Sequence, residues 1–401
     1  MTSALNEMGG ARPARQLMSG TLRVFAAEAL IVPTGILTAV FLSRRFGPEG
    51  YGLLTLAGVV IAWVESNVAT ALSRPVVKLV ADSKDWRAVA SASLRLYLAC
   101  GVALAALLAA VAEPVALSLG EGPQLAFYLR LYALEIPVFC AAQAHRSVLV
   151  GLGRFRERAW ATAARWTARL ALVVALVIFT GSIAAAICAS VLASVVELLF
   201  CRARLRVSLF GAGGARRLGG YALPLVASAL CLSLFGRLDL LLLKALGGTA
   251  ADAGLYGVAQ NLALLPTLFS FAFAPTLLST LGRAAREGDA EGAREVAATA
   301  LRAPLVLAPF AACVAGASGE VVRLLFGAQF AGAATPLGLL LFASLALVLV
   351  SAAASMMTAA GRASWTLHAA WPPLVVAAAL HAYAIPRAGA AGAAAVTAGV
   401  A

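Results

Sequence analysis

The chain has 401 residues, of which 62% are hydrophobic and 12% are charged, and its formal net charge is +13. A soluble protein of this length needs charged side chains at roughly a quarter of its positions, so the composition excludes a water-soluble globular protein. The positive charge does not indicate nucleic-acid binding, because the arginines lie in short connectors between apolar segments instead of on one domain.

Apolar segments long enough to cross a bilayer follow one another along almost the whole chain. A helix needs about 20 apolar residues to cross the hydrocarbon core. We therefore predict an all-α polytopic membrane protein of about 12 spans, the last beginning near residue 389. The other predicted spans are residues 21–43, 51–78, 88–111, 124–150, 159–180, 182–201, 219–246, 253–282, 295–317, 331–360 and 364–385.

The basic residues predict the orientation of these spans. With the N-terminus inside, the inner connectors hold 22 of the 31 Lys and Arg residues and the outer connectors hold 5. Cytoplasmic connectors of membrane proteins carry such an excess of positive charge. The N-terminus is therefore predicted to be cytoplasmic.

An internal repeat relates the two halves of the sequence. Tyr51-Gly52 recurs as Tyr256-Gly257 with an offset of 205, and Gly120 recurs as Gly327 with an offset of 207. GSIAAAICA (181–189) lies opposite GAAGAAAVT (389–397) with an offset of 208. The repeat predicts an N-terminal six-helix bundle in residues 1–210 and a C-terminal one in residues 211–401, related by an axis along the membrane normal. Since residue 401 corresponds to about residue 193, we expect an incomplete twelfth helix and a truncated C-terminus.

A charged turn, RRFGPEGYG (44–52), separates the first two predicted spans. Gly47 and Gly50 permit a tight turn, and Pro48 suits the first turn of the following helix. Arg44 and Arg45 can reach lipid head groups from the end of the first span. The looser KALGGTAADAGLYG (244–257) predicts the equivalent hairpin of the second half.

Residues 44–82, RRFGPEGYGLLTLAGVVIAWVESNVATALSRPVVKLVAD, resemble the first hairpin of bacterial oligosaccharide flippases. These proteins form the polysaccharide biosynthesis branch of the multidrug/oligosaccharidyl-lipid/polysaccharide (MOP) exporter superfamily. GRLDLLLLKALGGTAADAGLYGVAQNLALLPTLFSFAFAPTLLSTLGRAAREGD (236–289) is similar to their seventh and eighth spans. EVVRLLFGAQFAGAATPLGLL (320–340) and the Gly-Arg pair at 361–362 continue a match that covers nearly the whole chain.

The resemblance implies a MATE-like fold in which two six-helix bundles rock around a central cationic cavity. It implies that the protein flips an undecaprenyl-pyrophosphate-linked oligosaccharide across the bacterial inner membrane. The products would be O-antigen, capsule, exopolysaccharide or teichoic-acid-like polymers. Implied partners are membrane lipids, Na⁺ or H⁺ and a polysaccharide polymerase, but neither nucleic acid nor a cofactor.

Arginines inside the spans are the candidates for binding the pyrophosphate, because an anion needs fixed positive charge to cross hydrocarbon. Arg158, Arg165 and Arg169 lie at i, i+7 and i+11 on one face of the fifth span. Arg158 and Arg165 could instead snorkel to the head groups, whereas Arg169 is too deep for that. Arg237 matches a charged position of the family and could alternatively pair with a carboxylate, and Arg95 is a weaker candidate.

Acidic residues inside the spans are candidates for ion coupling or for neutralising a cavity arginine. Glu65 lies in VESNVATAL beside Asn67, which replaces the glycine that the family often has there. Glu197 lies near the cytoplasmic end of its span and is expected to pair with a nearby arginine. The other candidates are Glu28, Glu135 and Asp239.

The sequence is also compatible with other functions. A multidrug/cation antiporter of the same superfamily would rely on carboxylates and aromatic residues, and the lipid II flippase branch usually has extra spans. A membrane polymerase or ligase would need a large outer loop with catalytic residues, and a structural scaffold would not need deep arginines. The sequence contains no GxSxG, Walker A or HExxH motif, so we expect a transporter driven by a gradient or by downstream consumption, not an enzyme.

Overall fold

A computed structural model of the protein describes residues 30–83, 85–209, 238–266, 277, 281, 289–359 and 363–400. Within these residues all regular structure is helical. The α-helices are α1 Ile31–Asp82, α2 Trp86–Ser118, α3 Pro123–Ala133, α4 Glu135–Gly151, α5 Phe155–Thr180, α6 Ile183–Arg204, α7 Leu238–Ala245, α8 Ala250–Ala263, α9 Ala290–Arg302, α10 Ala308–Gly316, α11 Ser318–Phe326, α12 Ala334–Ala359 and α13 Ala363–Val400, with short 3₁₀ helices at Ala303–Leu307 and Ala328–Ala333.

Seven helical segments of the described chain are long and apolar enough to cross a membrane. Their outer faces carry large apolar side chains, with Phe179 86% exposed and Val306 78% exposed. Such surfaces are unfavourable in water and suit a lipid environment. The protein is a multi-pass membrane protein, as the composition predicts.

Helix α1 contains the first predicted hairpin. Its 52 residues would measure about 78 Å as one straight helix, more than twice the ~30 Å hydrocarbon core. The helix is interrupted at Gly47, where φ is 69° and ψ is −178°. This left-handed backbone favours glycine, and the turn predicted within residues 44–52 is confirmed.

Other interruptions fall at proline and glycine. Helices α3 and α4 meet at Leu134, close to Pro137, which has no N–H to bond the carbonyl of Ala133. Helix α13 is interrupted at Gly389, with φ 53°, where the sequence predicts the turn before the twelfth span. Helix α2 runs through Pro114 to Ser118 and is longer than the predicted 88–111. The predicted spans 219–246 and 253–282 lie partly outside the described residues.

The repeat is visible in the backbone conformation. Gly120 and Gly327, which the offset of 207 pairs, both have positive φ, at 66° and 99°. Gly181 and Gly389, which the offset of 208 pairs, have φ of 64° and 53°. The two halves therefore turn at equivalent glycines.

The chain divides into two compact units. Unit 1 comprises Met1–Gly35, Ala57–Glu113 and Ala126–Leu234, and unit 2 comprises Ile36–Leu56, Pro114–Leu125 and Phe235–Ala401, in each case as far as their residues are described. Unit 2 thus contains two segments of the N-terminal half. The predicted bundle boundary at residue 210 lies outside the described residues, so the division into 1–210 and 211–401 stays a prediction.

Candidate functional site

A cluster of charged side chains is buried among the helices of unit 1. Helix α5 carries Arg165, α1 carries Glu65, α4 carries Glu135 and Arg146, and α6 carries Glu197. These helices are mostly apolar within the membrane, and the charged side chains of the cluster turn away from lipid and meet one another. We call Arg165, Glu65, Glu135, Glu197 and Arg146 the Arg165 cluster.

Arg165 is the centre of the cluster and faces three carboxylates. Its Nη2 lies 2.8 Å from Glu135 Oε1 and 3.3 Å from Glu65 Oε2, and its Nε lies 3.8 Å from Glu197 Oε2. The Arg165 side chain is 9% exposed. This burial excludes the alternative in which Arg165 snorkels to the head groups.

The carboxylates have further partners. Ser194, one helical turn before Glu197 on α6, donates a 2.6 Å hydrogen bond from its Oγ to Glu135 Oε1. Arg146 Nη1 lies 3.0 Å from Glu197 Oε1, so the predicted pairing of Glu197 with an arginine is confirmed. Both guanidinium groups stack on the Phe139 ring, at 5.1 Å from Arg146 and 4.8 Å from Arg165. Because each charged group contacts a group of opposite charge, the cluster tolerates burial.

Three carboxylate oxygens of the cluster have no hydrogen-bond partner among the described residues, and two of them, those of Glu197, lie in ion pairs with Arg146 and Arg165. Glu65 Oε1 is buried and has no hydrogen bond to any described residue. A buried carboxylate oxygen without a donor is costly. Binding of a proton or a small cation there would remove that cost.

Arg169 lies one turn after Arg165 on α5 and is paired differently. In the described part of the chain no carboxylate lies within ion-pair distance of Arg169. Its Nη2 donates a long hydrogen bond of 3.4 Å to the Tyr132 hydroxyl, and its guanidinium lies 5.6 Å from the Trp166 ring centroid. Its buried Nε has no hydrogen-bond partner among the described residues. Arg169 therefore combines a full charge with unused donors.

The remaining sequence candidates lie elsewhere. Arg95 donates from Nη1 to the carbonyl of Leu209 at 3.2 Å and is not part of the Arg165 cluster. Asp239 belongs to unit 2. Arg237 and Glu28 lie outside the described residues.

Asp239 is the centre of a smaller polar group in unit 2. Its Oδ2 accepts hydrogen bonds from the Tyr256 hydroxyl at 2.8 Å and from Gln260 Nε2 at 3.0 Å. Its Oδ1 faces the backbone N–H of Leu240 at 2.8 Å. The Thr397 hydroxyl lies 3.5 Å from that of Tyr256. Three donors, one hydroxyl and two N–H groups, thus converge on the Asp239 carboxylate.

Sequence reasoning did not find Tyr132, Ser194 or the role of Arg146 in the cluster. Ser194 and Glu197 are three residues apart and share a helix face, which is a weak signal for a joint polar site. Tyr132 and Arg146 carry no such signal, since their partners come from other helices. In the described residues no group of three or more His, Cys, Asp and Glu side chains has the arrangement of a metal site.

The fold resembles solved membrane transporters of the MOP superfamily. A multidrug resistance MATE family transporter in an inward-facing conformation is 17% identical, with 92% of this chain and 90% of that chain covered and a TM-score of 0.73. The lipid II flippase MurJ in an inward closed conformation is 14% identical, with 96% and 85% covered and a TM-score of 0.77. A MOP superfamily transporter from Pyrococcus furiosus is 15% identical, with 97% and 92% covered and a TM-score of 0.70.

These likenesses and the membrane-crossing helices define an all-α polytopic membrane protein with a MOP-type fold. The sequence profile described as polysaccharide biosynthesis protein matches residues 41–335. The chain belongs to the polysaccharide biosynthesis protein family, as the resemblance predicts. No curated protein matches it in sequence.

Proposed function

We propose that the protein is a transporter that flips a polyprenyl-pyrophosphate-linked oligosaccharide across the bacterial inner membrane, with its N-terminus in the cytoplasm. The family membership and the MOP-type fold support a role in polysaccharide biosynthesis by transport instead of by enzymatic catalysis. The oligosaccharide would serve O-antigen, capsule, exopolysaccharide or teichoic-acid-like polymers.

The observation that carries the proposal is the difference between Arg165 and Arg169. Arg165 is neutralised by three glutamates, whereas Arg169 has no ion-pair partner in the described part of the chain. A guanidinium with unused donors binds phosphate oxygens well, because two parallel N–H groups match their geometry. Arg169 is the residue that we expect to contact the pyrophosphate.

The other candidate cations have secondary roles in this proposal. Arg165 can bind phosphate only when it separates from one of the carboxylates with which it is paired. A proton or Na⁺ at the unpartnered Oε1 of Glu65 would weaken the Glu65–Arg165 pair and turn Arg165 toward the cargo. Arg95 and Arg237 remain proposed members of the cationic surface.

Coupling to an ion gradient is proposed for the acidic candidates. Glu65 and Glu135 lie within the Arg165 cluster, so an ion bound there changes the charge beside Arg169. Asp239, surrounded by the Tyr256 hydroxyl and the Gln260 side chain, is a second candidate for holding Na⁺ or H⁺. Glu28 is retained as a candidate from the sequence. A polysaccharide polymerase and the surrounding lipids are the proposed partners.

The decisive experiment measures the amount of lipid-linked oligosaccharide in the cells. Deletion of the gene in its host should cause one polyprenyl-pyrophosphate-linked oligosaccharide to accumulate, measured by mass spectrometry of extracted lipids. The wild-type gene and an Arg130→Ala variant should clear that lipid, while Arg169→Ala should not. Arg130 is the matched control because it is an arginine of α3 that is half-exposed and pairs with the exposed Glu113.

An antiporter for organic cations is the second candidate. The three glutamates around Arg165 could hold a cation if that arginine moved. Deletion of the gene could leave the amount of lipid-linked sugars unchanged and make the cells sensitive to cationic dyes. That result would support the antiporter and contradict the flippase. Accumulation of lipid II itself would instead assign the protein to peptidoglycan synthesis.

A further inference from the structure

Two neighbouring cavities open at the end of unit 1 that the distribution of basic residues predicts to be cytoplasmic. The larger, of about 560 Å³, lies at the last turn of α6, and the smaller, of about 320 Å³, lies at the start of α2. The residues that line the larger cavity are Leu199, Arg202, Ala203, Arg206, Val207 and Ser208. The smaller cavity shares residues 206–208 with it and is also lined by the start of α2, where Arg87 and Trp86 lie. We call the two cavities together the basic groove.

The segment that follows α6 is held so that Arg206 lines both cavities. Its first residue, Leu205, is extended, with φ −142° and ψ 101°. In an extended chain successive side chains point to opposite sides, and accordingly Leu205 and Val207 are buried whereas Arg206 is exposed. Arg95 of α2 donates from Nη1 to the carbonyl of Leu209 at 3.2 Å and fixes the end of the segment. The local chain conformation therefore presents a positive charge to the groove.

Three exposed arginines, Arg87, Arg202 and Arg206, supply the positive charge of the basic groove. In the part of the chain that the structure describes, no carboxylate lies within ion-pair distance of these three guanidinium groups. Asp85 also lines the smaller cavity, but its Oδ1 accepts a hydrogen bond of 3.3 Å from the backbone N–H of Ala88 and thereby caps α2. A guanidinium group with available donors binds phosphate oxygens through parallel N–H groups. The groove is therefore suited to a phosphate group.

An exposed apolar face of α6 leads from the membrane to the basic groove. Leu192, Val196 and Leu199 are exposed and lie at i, i+4 and i+7, so they share one face of the helix. We call these three residues the apolar stripe. One turn further along the same face, Ala203 lines the larger cavity. The opposite face of α6 buries Glu197, so the stripe is the face of this membrane-crossing helix that is left for hydrocarbon.

We propose that the basic groove binds an anionic glycerophospholipid of the cytoplasmic leaflet, with its phosphate on Arg202 and Arg206 and an acyl chain along the apolar stripe. Basic pockets at the cytoplasmic ends of membrane helices complement the negative charge of that leaflet. Tryptophan is enriched at the membrane–water interface, so Trp86 also indicates that the groove lies at the level of the head groups. The inference goes beyond the proposed function, because this lipid is bound from the surrounding bilayer and is not transported. A polyprenyl pyrophosphate offers the same chemistry, a phosphate on a hydrocarbon chain, and the experiment distinguishes the two lipids.

Native mass spectrometry of the full chain in a neutral detergent tests the groove, with phosphatidylglycerol, phosphatidylcholine and undecaprenyl pyrophosphate as separate probes. We expect the wild type to bind phosphatidylglycerol at least tenfold more tightly than phosphatidylcholine. Arg202→Ala with Arg206→Ala should abolish this preference and leave the binding of the other two lipids unchanged. Arg156→Ala with Arg204→Ala is the matched control, because both arginines are exposed in unit 1, line neither cavity and remove the same charge. The control should change the affinity for phosphatidylglycerol less than twofold.

Three results would overturn the lipid site. The wild type could bind the two glycerophospholipids equally, or the control variant could lose as much affinity as the groove variant, which would indicate attraction by net charge alone. Alternatively, the groove variant could lose undecaprenyl pyrophosphate and keep phosphatidylglycerol, which would assign the groove to the cargo. Arg202→Gln with Arg206→Gln keeps polar side chains of moderate length and should reproduce the loss in a protein with the unfolding midpoint of the wild type. Because none of these readouts measures flipping, failure of the proposed function would leave the result on the groove intact.

Discussion

Glu135 Oε1 and Arg165 Nη2 lie 2.8 Å apart, with both side chains less than a tenth exposed. Glu135 opens α4 directly after the interruption at Leu134, and Ser194 donates a hydrogen bond to the same oxygen atom. Removing two charges from water is costly, so a buried pair of this kind persists only where further hydrogen bonds complete it. The position where α4 begins therefore places Glu135 between Arg165 and Ser194.

Replacement of Arg165 by alanine should destabilise the protein severely. The variant leaves Glu65, Glu135 and Glu197 buried without their shared partner, and breaking a buried pair typically costs about 3–5 kcal/mol. The measurement is the thermal unfolding midpoint of the detergent-purified protein. Arg130→Ala provides the comparison, because exposed pairs contribute roughly 0–1 kcal/mol. Equal midpoints for the two variants would contradict the central position of Arg165.

Replacement of Arg169 should affect transport more than stability. Arg169→Ala removes the proposed phosphate contact and no ion pair of the described chain, so we expect at least a tenfold loss of clearance with a nearly unchanged unfolding midpoint. Arg169→Lys keeps the charge but loses the planar fork of donors, and it should retain part of the activity. The rate of lipid clearance per unit of membrane-inserted protein measures both. If the Arg169→Ala variant were fully active, Arg169 would not be part of the phosphate-binding site.

Glu65→Gln and Asp239→Asn should distinguish the two candidate ion sites. Each substitution keeps the shape of the side chain and removes its charge, so the variant of the true coupling residue should transport at a rate independent of the imposed gradient. The measurement is flipping in proteoliposomes with a Na⁺ or a pH gradient in either direction. If both variants respond to the gradient as the wild type does, neither residue couples transport to an ion.

Gly52→Ala should destabilise the protein, whereas Gly35→Ala should not. A methyl group at Gly52 would overlap the carbonyl oxygen of Ala250, whereas one at Gly35 meets nothing within 4 Å. Alanine in a helix is favoured over glycine by roughly 0.5–1 kcal/mol, so Gly35→Ala should be neutral or stabilising. The thermal unfolding midpoints of the two variants measure the difference. A Gly52→Ala variant with the midpoint of the wild type would contradict the close contact between Gly52 and Ala250.

Much of the architecture could be predicted from local patterns. Apolar length predicts the membrane spans, because hydrocarbon leaves a chain few alternatives to a helix. Gly47 and Gly389 mark their turns, because a left-handed backbone favours glycine wherever it occurs. The family likeness follows from the order of such segments, and the profile match confirms it.

The sequence by itself determined that Arg165, Arg169, Glu65 and Glu135 are charged residues inside membrane spans and therefore unusual. It could not determine their partners. Glu65 and Arg165 are 100 positions apart. Only helix packing decides that they meet while Arg169, one turn away, has no carboxylate partner among the described residues. The physical reason is that electrostatic interaction depends on distance and burial, which no spacing along a single helix specifies. Tertiary structure thus distinguishes an arginine that is paired with three carboxylates from one that pairs with none in the described part of the chain.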